Sequence, residues 1–298
     1  MVRVVCVHGV AQQRETENTL HDEWAPALCG GVKLAGGELA EADVGCVLYG
    51  DLFRPPGRHL APGDPLIRAA DLDEFEQELL LDWWAEAARV DPQVIPPDAR
   101  ALARTPRSVQ AALRALSGSR FFAGLGERAL LGDLRQVRRY LHELEIRQAV
   151  QDRVATMINE EVRVIVGHSL GSVVAYEALC AHPQWPVRAL VTLGSPLGIP
   201  NLIFQRLHPA PQPTGTCPGE VRRQWPGAGR SWSNIADEGD VVALVKDLRP
   251  AFGAEVDCWV VDNGARAHDV TPYLTAVETG RAILAGLTDK EQRDHPRG

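Results

Sequence analysis

Short apolar runs alternate with helical patterns at both ends of this 298-residue chain. Each run is rich in Val, Ile or Leu at successive positions, as expected for a strand that is buried on both faces of a sheet. The alternation of such strands with helices is typical of α/β proteins that have a mostly parallel sheet and helices on both faces. The predicted strands cover residues 2–7, 44–49, 162–166, 189–193, 233–236 and 256–261.

The middle of the chain has a different pattern. Residues 51–131 contain few β-branched residues and many Ala, Leu, Arg and Glu. Apolar residues recur at helical spacing over 73–90, where Asp73 followed by Glu76 resembles a capping arrangement at the start of a helix. We therefore predict one α/β domain over residues 1–298, with a mostly parallel sheet of about six strands, helices on both faces, and a helical insertion or cap at 51–131.

Two more helical patterns follow. One covers about 98–116, and another begins near Leu130 and repeats through Leu144. The second pattern is compatible with continuation to Asn159, which would make it the crossover helix before the strand at 162–166.

Composition restricts the class of protein. The chain is 45% hydrophobic and 23% charged, which is ordinary for a globular enzyme, and its net charge of −8 argues against a nucleic-acid partner. The six cysteines lack the spacing of a metal site or a disulfide framework, so we expect them to be reduced. We see neither a signal peptide nor an apolar run near the roughly 18 residues that a membrane span needs. These observations predict a cytoplasmic protein without a transmembrane segment.

The segment Gly167-His168-Ser169-Leu170-Gly171 joins the predicted strand 162–166 directly to a helical pattern over 172–179. A Gly-x-Ser-x-Gly motif is weak evidence alone, but this strand–turn–helix setting is the one that a nucleophilic serine requires. The flanking glycines let strand and helix approach closely, and the helix N-terminus favours negative charge near the serine. We predict that Ser169 is a nucleophile.

A serine hydroxyl needs a neighbouring base to remove its proton. His268 follows the last predicted strand, whereas the other downstream histidine, His295, lies in a charged tail. We predict that His268 is the general base.

An acid that orients the base is expected in the loop after the strand 233–236. Asp240 is favoured because it precedes the apolar pair Val241-Val242, whose packing would anchor it. Asp237 is the alternative, and its other interpretation is an Asx-type turn residue.

Two amides are needed for the oxyanion of a tetrahedral intermediate. Leu170, which follows the nucleophile, is predicted to supply one, and Val10, after the first strand, the other. We interpret His8 as a residue that orients this loop rather than as a second base. Ser195, at the end of another strand, is interpreted as a structural residue.

In combination, these segments resemble the α/β-hydrolase superfamily and, within it, lipase/esterase-like serine hydrolases of an uncharacterised bacterial type. The resemblance covers about 1–50 and 130–288. It implies the strand order 4-3-5-6-7-8 in the superfamily's naming, with the first two strands absent, and acyl hydrolysis without a metal or cofactor. The segments that carry it are Val7-His8-Gly9-Val10, the 167–171 motif, Gly194-Ser195-Pro196-Leu197-Gly198, Gly239-Asp240-Val241-Val242 and His268.

The functional hypothesis is a serine hydrolase that cleaves a carboxylic ester or related acyl bond of a small-molecule or lipid-like substrate, through an acyl-enzyme on Ser169. Two alternatives stay open: a non-catalytic binding or regulatory member of the same fold, and an acyltransferase that uses the same triad. The sequence specifies neither the acyl chain length nor the oligomeric state.

Overall fold

The computed structural model describes residues 1–54, 67–97, 106–117, 119, 127–210, 212–213 and 221–288. Within these ranges, six strands form one parallel sheet that is connected largely through helices, so the chain is an α/β protein. The sheet strands are β1 (Val4–Val7), β2 (Val44–Val47), β3 (Val164–His168), β4 (Ala189–Leu193), β7 (Ser231–Asp237) and β8 (Val256–Val261), and a separate antiparallel pair is formed by β5 (Gln212–Pro213) and β6 (Val221–Arg222). The helices are α1 (Glu17–Leu34), α2 (Glu74–Val90), α3 (Pro106–Ser117), α4 (Glu127–His142), α5 (Leu144–Met157), α6 (Leu170–Ala181), α7 (Arg249–Phe252), α8 (Val270–Thr275) and α9 (Val277–Leu287).

The strand order is β2-β1-β3-β4-β7-β8, and every neighbouring pair is parallel. In chain order this is the arrangement that the resemblance implied. Because the strands are parallel, their carboxyl ends meet at one edge of the sheet, which is where ligands bind in open α/β sheets. The segments after β1, β3, β4, β7 and β8 all begin at this edge.

Helices cover both faces of the sheet. Side chains alternate between faces along a strand, so Val5 and Val7 of β1 pack in one apolar cluster and Val4 and Cys6 in another. Apolar residues of α2 to α6 fill the first cluster, and those of α1, α8 and α9 fill the second. The helices thereby bury the central strands completely, as the continuous apolar runs predicted.

The edge strand β8 departs from this pattern. Its residues Trp259 and Val260 are 43% and 58% exposed. The prediction that every strand is buried on both faces is therefore wrong for β8, an edge strand of the described sheet, although it holds for β2 at the opposite edge.

The helix α2 begins as its sequence predicted. The Glu76 amide donates to Asp73 Oδ1 at 2.9 Å, and the Asp73 amide donates to Glu76 Oε2 at 2.9 Å, which completes a capping box. The next predicted helix is present as α3 from Pro106, while the start of that prediction, 98–105, lies outside the described residues.

The third predicted helix is two helices. Glu143 has extended backbone (φ −103°, ψ 102°) and separates α4 from α5. Its carboxylate binds Arg138 at 2.8 Å and Arg139 at 3.0 Å, so the last turn of α4 is fixed by ion pairs. Continuation of a single helix through Leu144 was thus a wrong prediction, and α5 alone is the crossover helix before β3. None of the helices in the described ranges is long and apolar enough to cross a bilayer.

Candidate active site

Ser169 lies on the bend between β3 and α6. Its backbone is in the left-handed half of conformational space (φ 52°, ψ −127°), which is strained for a residue with a side chain. The Ser169 amide donates to the Leu193 carbonyl at 3.0 Å, and its carbonyl accepts from the Ser172 amide at 3.0 Å and the Ser172 hydroxyl at 2.6 Å. These bonds hold the strained bend at the carboxyl edge of the sheet.

The two glycines of the bend are needed for close approach. A Cβ at Gly171 would lie 2.1 Å from the Val7 carbonyl oxygen, and one at Gly167 would lie 2.6 Å from the Gly171 carbonyl oxygen. Neither contact is tolerable, so only glycine lets α6 leave β3 so close to β1.

Three of the predicted residues form a continuous hydrogen-bonded chain. His268 Nε2 lies 3.1 Å from Ser169 Oγ, and His268 Nδ1 lies 2.8 Å from Asp240 Oδ2. A neutral His268 with its proton on Nδ1 would donate to Asp240 and accept from the serine hydroxyl. The structure therefore brings together side chains from the segments after β3, β7 and β8.

Asp240 is fully buried, and its carboxylate accepts several hydrogen bonds. Its Oδ2 also accepts from the Tyr273 hydroxyl at 2.8 Å, and its Oδ1 accepts from the amides of Val242 at 2.9 Å and Ala243 at 3.3 Å. Burial acts to raise the pKa of Asp240, but the charge of His268 and these hydrogen bonds outweigh it and lower the pKa below the ordinary value. The site therefore favours a charged carboxylate beside His268.

Asp237, the alternative acid, binds backbone amides instead. Its Oδ1 accepts from the Gly239 amide at 2.7 Å, which is an Asx-type turn, and its Oδ2 accepts from the Asn263 amide. Burial raises the pKa of this carboxyl. Asp237 thus joins the loop after β7 to the loop after β8, while Asp240 contacts the imidazole.

Tyr273 on α8 connects the carboxylate of Asp240 to the backbone of Asp237, and the sequence had not indicated this residue. Its hydroxyl donates to Asp240 Oδ2 and accepts from the Asp237 amide at 2.7 Å. A tyrosine in a C-terminal helix has no motif around it, so nothing local in the sequence indicated this contact.

Gly194, at the end of β4, makes room for the acid–base pair. Its φ is 53°, and a Cβ there would lie 2.7 Å from Asp240 Oδ2 and 3.2 Å from His268 Nδ1. A larger residue would push the carboxylate and the imidazole apart.

The residues predicted to supply oxyanion donors border Ser169. Gly9 lies so close that a Cβ there would be 2.7 Å from Ser169 Cβ, and Val10 follows it in a turn that continues through Ala11 at φ 67°. Leu170 is the first residue of α6, and the first amides of a helix have no acceptor within it. Both predicted segments are thus next to the hydroxyl that they would serve.

His8 has both ring nitrogens engaged. Nδ1 lies 2.6 Å from the Gly9 carbonyl oxygen, Nε2 accepts from the Tyr49 amide at 3.1 Å, and the ring stacks on Tyr49 at 3.9 Å. Burial lowers the pKa of His8 to about 4, so the ring is neutral at physiological pH. These contacts are those of a residue that orients its loop, which is how we interpreted it.

A second histidine that the sequence did not single out, His168, donates from Nε2 to the His268 carbonyl oxygen at 3.0 Å. Burial is the main cause that lowers the pKa of His168 to about 3. It therefore acts as a neutral donor that holds the His268 backbone.

Ser195 lies at the same edge of the sheet as Ser169. Its hydroxyl lies 2.7 Å from the Ser172 hydroxyl and accepts from the Leu197 amide at 3.3 Å. Ser195 therefore braces the bend. Across the described ranges, no group of three or more His, Cys, Asp or Glu side chains is arranged to hold a metal ion.

A scan against models of known protein families found none that matches this chain, and a search of curated proteins found no significant match. The six-stranded parallel sheet fits an α/β-hydrolase-like fold. The motifs and the geometry of the site are therefore the basis for a functional proposal. The cytoplasmic location stays a prediction.

Proposed function

We propose that this chain is a lipase/esterase-like serine hydrolase of the α/β-hydrolase fold, which cleaves a carboxylic ester or related acyl bond of a small-molecule or lipid-like substrate. The observation that carries the proposal is the hydrogen-bonded chain Ser169–His268–Asp240 at the ends of parallel strands. Acyl transfer to a serine requires a nucleophile that is hydrogen-bonded to a base, and an acid that orients the base, and this chain supplies all three.

In the proposed reaction, Ser169 Oγ attacks the acyl carbon while His268 Nε2 takes the hydroxyl proton. The imidazolium then gives that proton to the leaving alcohol, which departs as the acyl-enzyme forms. In the second half of the reaction, water loses a proton to His268 Nε2 as it attacks the acyl carbon of the acyl-enzyme. The imidazolium then returns that proton to Ser169 Oγ as the bond to the acyl group breaks, which releases the acid and restores the free serine. Asp240 holds the Nδ1 proton in place and stabilises the imidazolium throughout.

Negative charge on the substrate oxygen needs fixed donors in each tetrahedral intermediate. We assign this role to the amides of Val10 and Leu170, as the sequence predicted, because their segments border Ser169 on two sides. The N-terminus of α6 adds a favourable dipole at the same place.

We further propose that the insertion 51–131 acts as a cap within a single domain. Support comes from a contact between α2 and the acid loop: Lys246 Nζ donates to the Asp240 carbonyl oxygen at 2.7 Å and lies 3.7 Å from Glu86 Oε1 of α2. A helix in contact with the triad's own loop is placed to shape the entrance for substrate.

The direct test compares Ser169→Ala with the matched control Ser195→Ala on short-chain esters. Both serines are buried at the same edge of the sheet, and only Ser169 contacts His268. Ser169→Ala should lower kcat/KM by at least about a thousandfold while the melting temperature changes little, and Ser195→Ala should keep most of the activity. Retention of a few per cent of the rate by Ser169→Ala would contradict the proposal.

The same preparations separate the two alternatives. A non-catalytic member of the fold would show no Ser169-dependent turnover of any ester. An acyltransferase would give more transfer product than free acid when an alcohol acceptor competes with water, whereas the proposed hydrolase gives mainly the acid.

A further inference from the structure

Tyr49, shortly after β2, contacts the segment that carries the predicted oxyanion donor Val10. Its side chain is buried, and its hydroxyl donates to the His8 carbonyl oxygen. The same hydroxyl lies 3.4 Å from the Gly9 carbonyl oxygen. The Tyr49 amide donates to His8 Nε2 at 3.1 Å, and the phenol ring stacks on the imidazole at 3.9 Å. Tyr49 therefore holds both the backbone and the side chain of His8.

The tautomer of His8 follows from these contacts. Because Nε2 accepts from an amide, the proton of the neutral ring is on Nδ1, which donates to the Gly9 carbonyl oxygen at 2.6 Å. Burial lowers the pKa of His8 to about 4 and so keeps the ring neutral. The Gly9 carbonyl oxygen thus has two neighbouring donors, the His8 imidazole and the Tyr49 hydroxyl.

These donors fix the orientation of one peptide group beside the nucleophile. The Gly9 carbonyl and the Val10 amide belong to the same planar trans peptide, so the carbonyl oxygen and the amide hydrogen point in opposite directions. Fixing the Gly9 carbonyl therefore fixes the direction of the Val10 N–H. Gly9 borders the nucleophile, since a Cβ there would lie 2.7 Å from Ser169 Cβ and 3.3 Å from Ser169 Oγ.

The residues after Tyr49 pack on the same loop beyond Val10. Arg54 Nε donates to the Gln13 carbonyl oxygen. A Cβ at Gly50 would lie 2.3 Å from the Gln12 carbonyl oxygen, so the two backbones are in close contact there. The segment 49–54 therefore supports the loop on both sides of Val10.

We propose that Tyr49 is a positioning residue for catalysis, which together with His8 orients the Val10 amide toward the oxyanion of the tetrahedral intermediate. A fixed donor of this kind acts on charge that develops only in the transition state, so loss of its orientation lowers kcat more than it raises KM. This inference rests on the proposed hydrolase function and identifies the side chains on which its oxyanion site depends.

Tyr49→Phe removes only the hydroxyl and keeps the ring that stacks on His8. We expect kcat/KM for a short-chain ester to fall about tenfold, less than the roughly hundredfold loss that follows removal of an oxyanion donor itself, with KM within about twofold of the wild type. The matched control is Tyr176→Phe, because Tyr176 is also buried and its hydroxyl also donates to a backbone carbonyl, that of Gln224, at 2.7 Å. This control should keep the wild-type kcat.

A trifluoromethyl ketone inhibitor separates loss of orientation from loss of folded protein. Ser169 Oγ adds to its carbonyl carbon as His268 takes the hydroxyl proton, and the former carbonyl oxygen becomes an anion in the position of the oxyanion. In Tyr49→Phe the Ki of this inhibitor should rise by about the same factor as kcat/KM falls. Partial unfolding would instead lower the apparent kcat and leave Ki unchanged.

An isosteric pair of substitutions at His8 tests the second donor. Asparagine carries an N–H donor near the position of Nδ1, whereas leucine has the same branched shape and no donor. Both lose the acceptor of the Tyr49 amide, so the two variants differ mainly in the bond to the Gly9 carbonyl oxygen. His8→Asn should therefore retain a kcat/KM at least about fivefold above that of His8→Leu.

Unchanged kcat/KM and Ki values in Tyr49→Phe would overturn the proposal, and so would a fall in kcat without a rise in Ki. Equal kcat/KM values for His8→Asn and His8→Leu would overturn it as well. In each of these cases, Ser169-dependent turnover by the otherwise wild-type protein would leave the hydrolase proposal intact. Absence of Ser169-dependent turnover would contradict both proposals.

Discussion

Two buried carboxyls in different regions of the molecule, Asp240 and Asp133, have pKa shifts of opposite sign. Asp240, in the loop after β7, accepts hydrogen bonds from His268, Tyr273 and two loop amides, and its pKa is lowered. Asp133, on α4, accepts one long bond from Gln136, and burial raises its pKa to about 7. Burial favours the neutral acid in both places, so the number and charge of partners decide which carboxyl is ionised. Asp240 is held in its charged form by its partners, whereas burial favours the neutral form of Asp133.

The largest effect is expected for substitution of Asp240, compared with the same substitution of Asp237 in the same loop. Asp240→Asn should lower kcat by about a thousandfold, because a neutral amide does not stabilise the imidazolium and its NH2 group favours the wrong tautomer of His268. Asp237→Asn should cost less than about tenfold, since that carboxylate binds the Gly239 and Asn263 amides. Steady-state kinetics of the two variants measures the difference. A larger loss of kcat in Asp237→Asn than in Asp240→Asn would contradict the assignment of Asp240 as the acid.

Asp133 and Asp240 should change the free energy of unfolding in opposite directions as the pH rises. The pKa of Asp133 is about 7 in the folded protein against an ordinary 3.8, so the folded state binds its proton more tightly than the unfolded chain does. Its contribution to the free energy of unfolding therefore falls as the pH rises from about 4 to about 7. Asp240 has a lowered pKa, so its charge stabilises the fold above the ordinary pKa, and this contribution is lost as the pH falls.

Asp133→Asn should accordingly raise the free energy of unfolding at about pH 8, by on the order of 2 kcal/mol, and the gain should shrink toward pH 4. Asp240→Asn should lower it at pH 8 by a similar amount, because buried donors lose a charged acceptor. Denaturant titrations at several pH values measure both. Shifts of the same sign at pH 8 would contradict the contrast between the two carboxyls.

The Tyr273 hydroxyl is expected to matter for both stability and activity. Tyr273→Phe removes a donor to Asp240 and leaves the buried Asp237 amide without its acceptor. We expect a destabilisation of about 2 kcal/mol and a roughly tenfold lower kcat. Tyr176→Phe is the matched control, since its hydroxyl donates to the Gln224 carbonyl oxygen instead, and it should leave kcat nearly unchanged. Equal kcat values for the two variants would exclude a positioning role for Tyr273.

The smallest effect is expected at the contact between α2 and the acid loop. Lys246→Met loses the bond to the Asp240 carbonyl oxygen and the contact with Glu86, so the loop should be held less firmly. We expect kcat to fall about threefold with little change in KM, and Glu86→Gln to act in the same direction more weakly. Lys33→Met, on the exposed part of α1, is the control. Wild-type kinetics in Lys246→Met would show that the contact does not position the acid.

Much of the sheet was predictable because each strand is short, apolar and followed by a glycine or a polar turn. The positions of Ser169, Asp240 and His268 followed from the same logic, since parallel strands bring their carboxyl ends together. The exposure of β8 was not predictable from its sequence, because it depends on which helices pack on the strand: β2, at the opposite edge of the sheet, has a similar apolar sequence and is buried.

The supporting side chains could not be predicted for a related reason. Tyr273 and His168 contact triad residues that lie 33 and 100 positions away in the sequence, and no local spacing indicates such contacts. The break between α4 and α5 falls at Glu143, where the backbone is extended, and apolar residues at helical spacing continue on both sides of it. Periodicity alone therefore gave no sign of the break.

The most direct test of the triad is to label the protein with a fluorophosphonate and locate the adduct by mass spectrometry. Such a probe reacts with a serine that a neighbouring base activates. The wild type should carry one adduct, on Ser169, and His268→Ala should label at least about a hundredfold more slowly. An adduct on another serine, or labelling at equal rates with and without the His268 imidazole, would contradict the assignment.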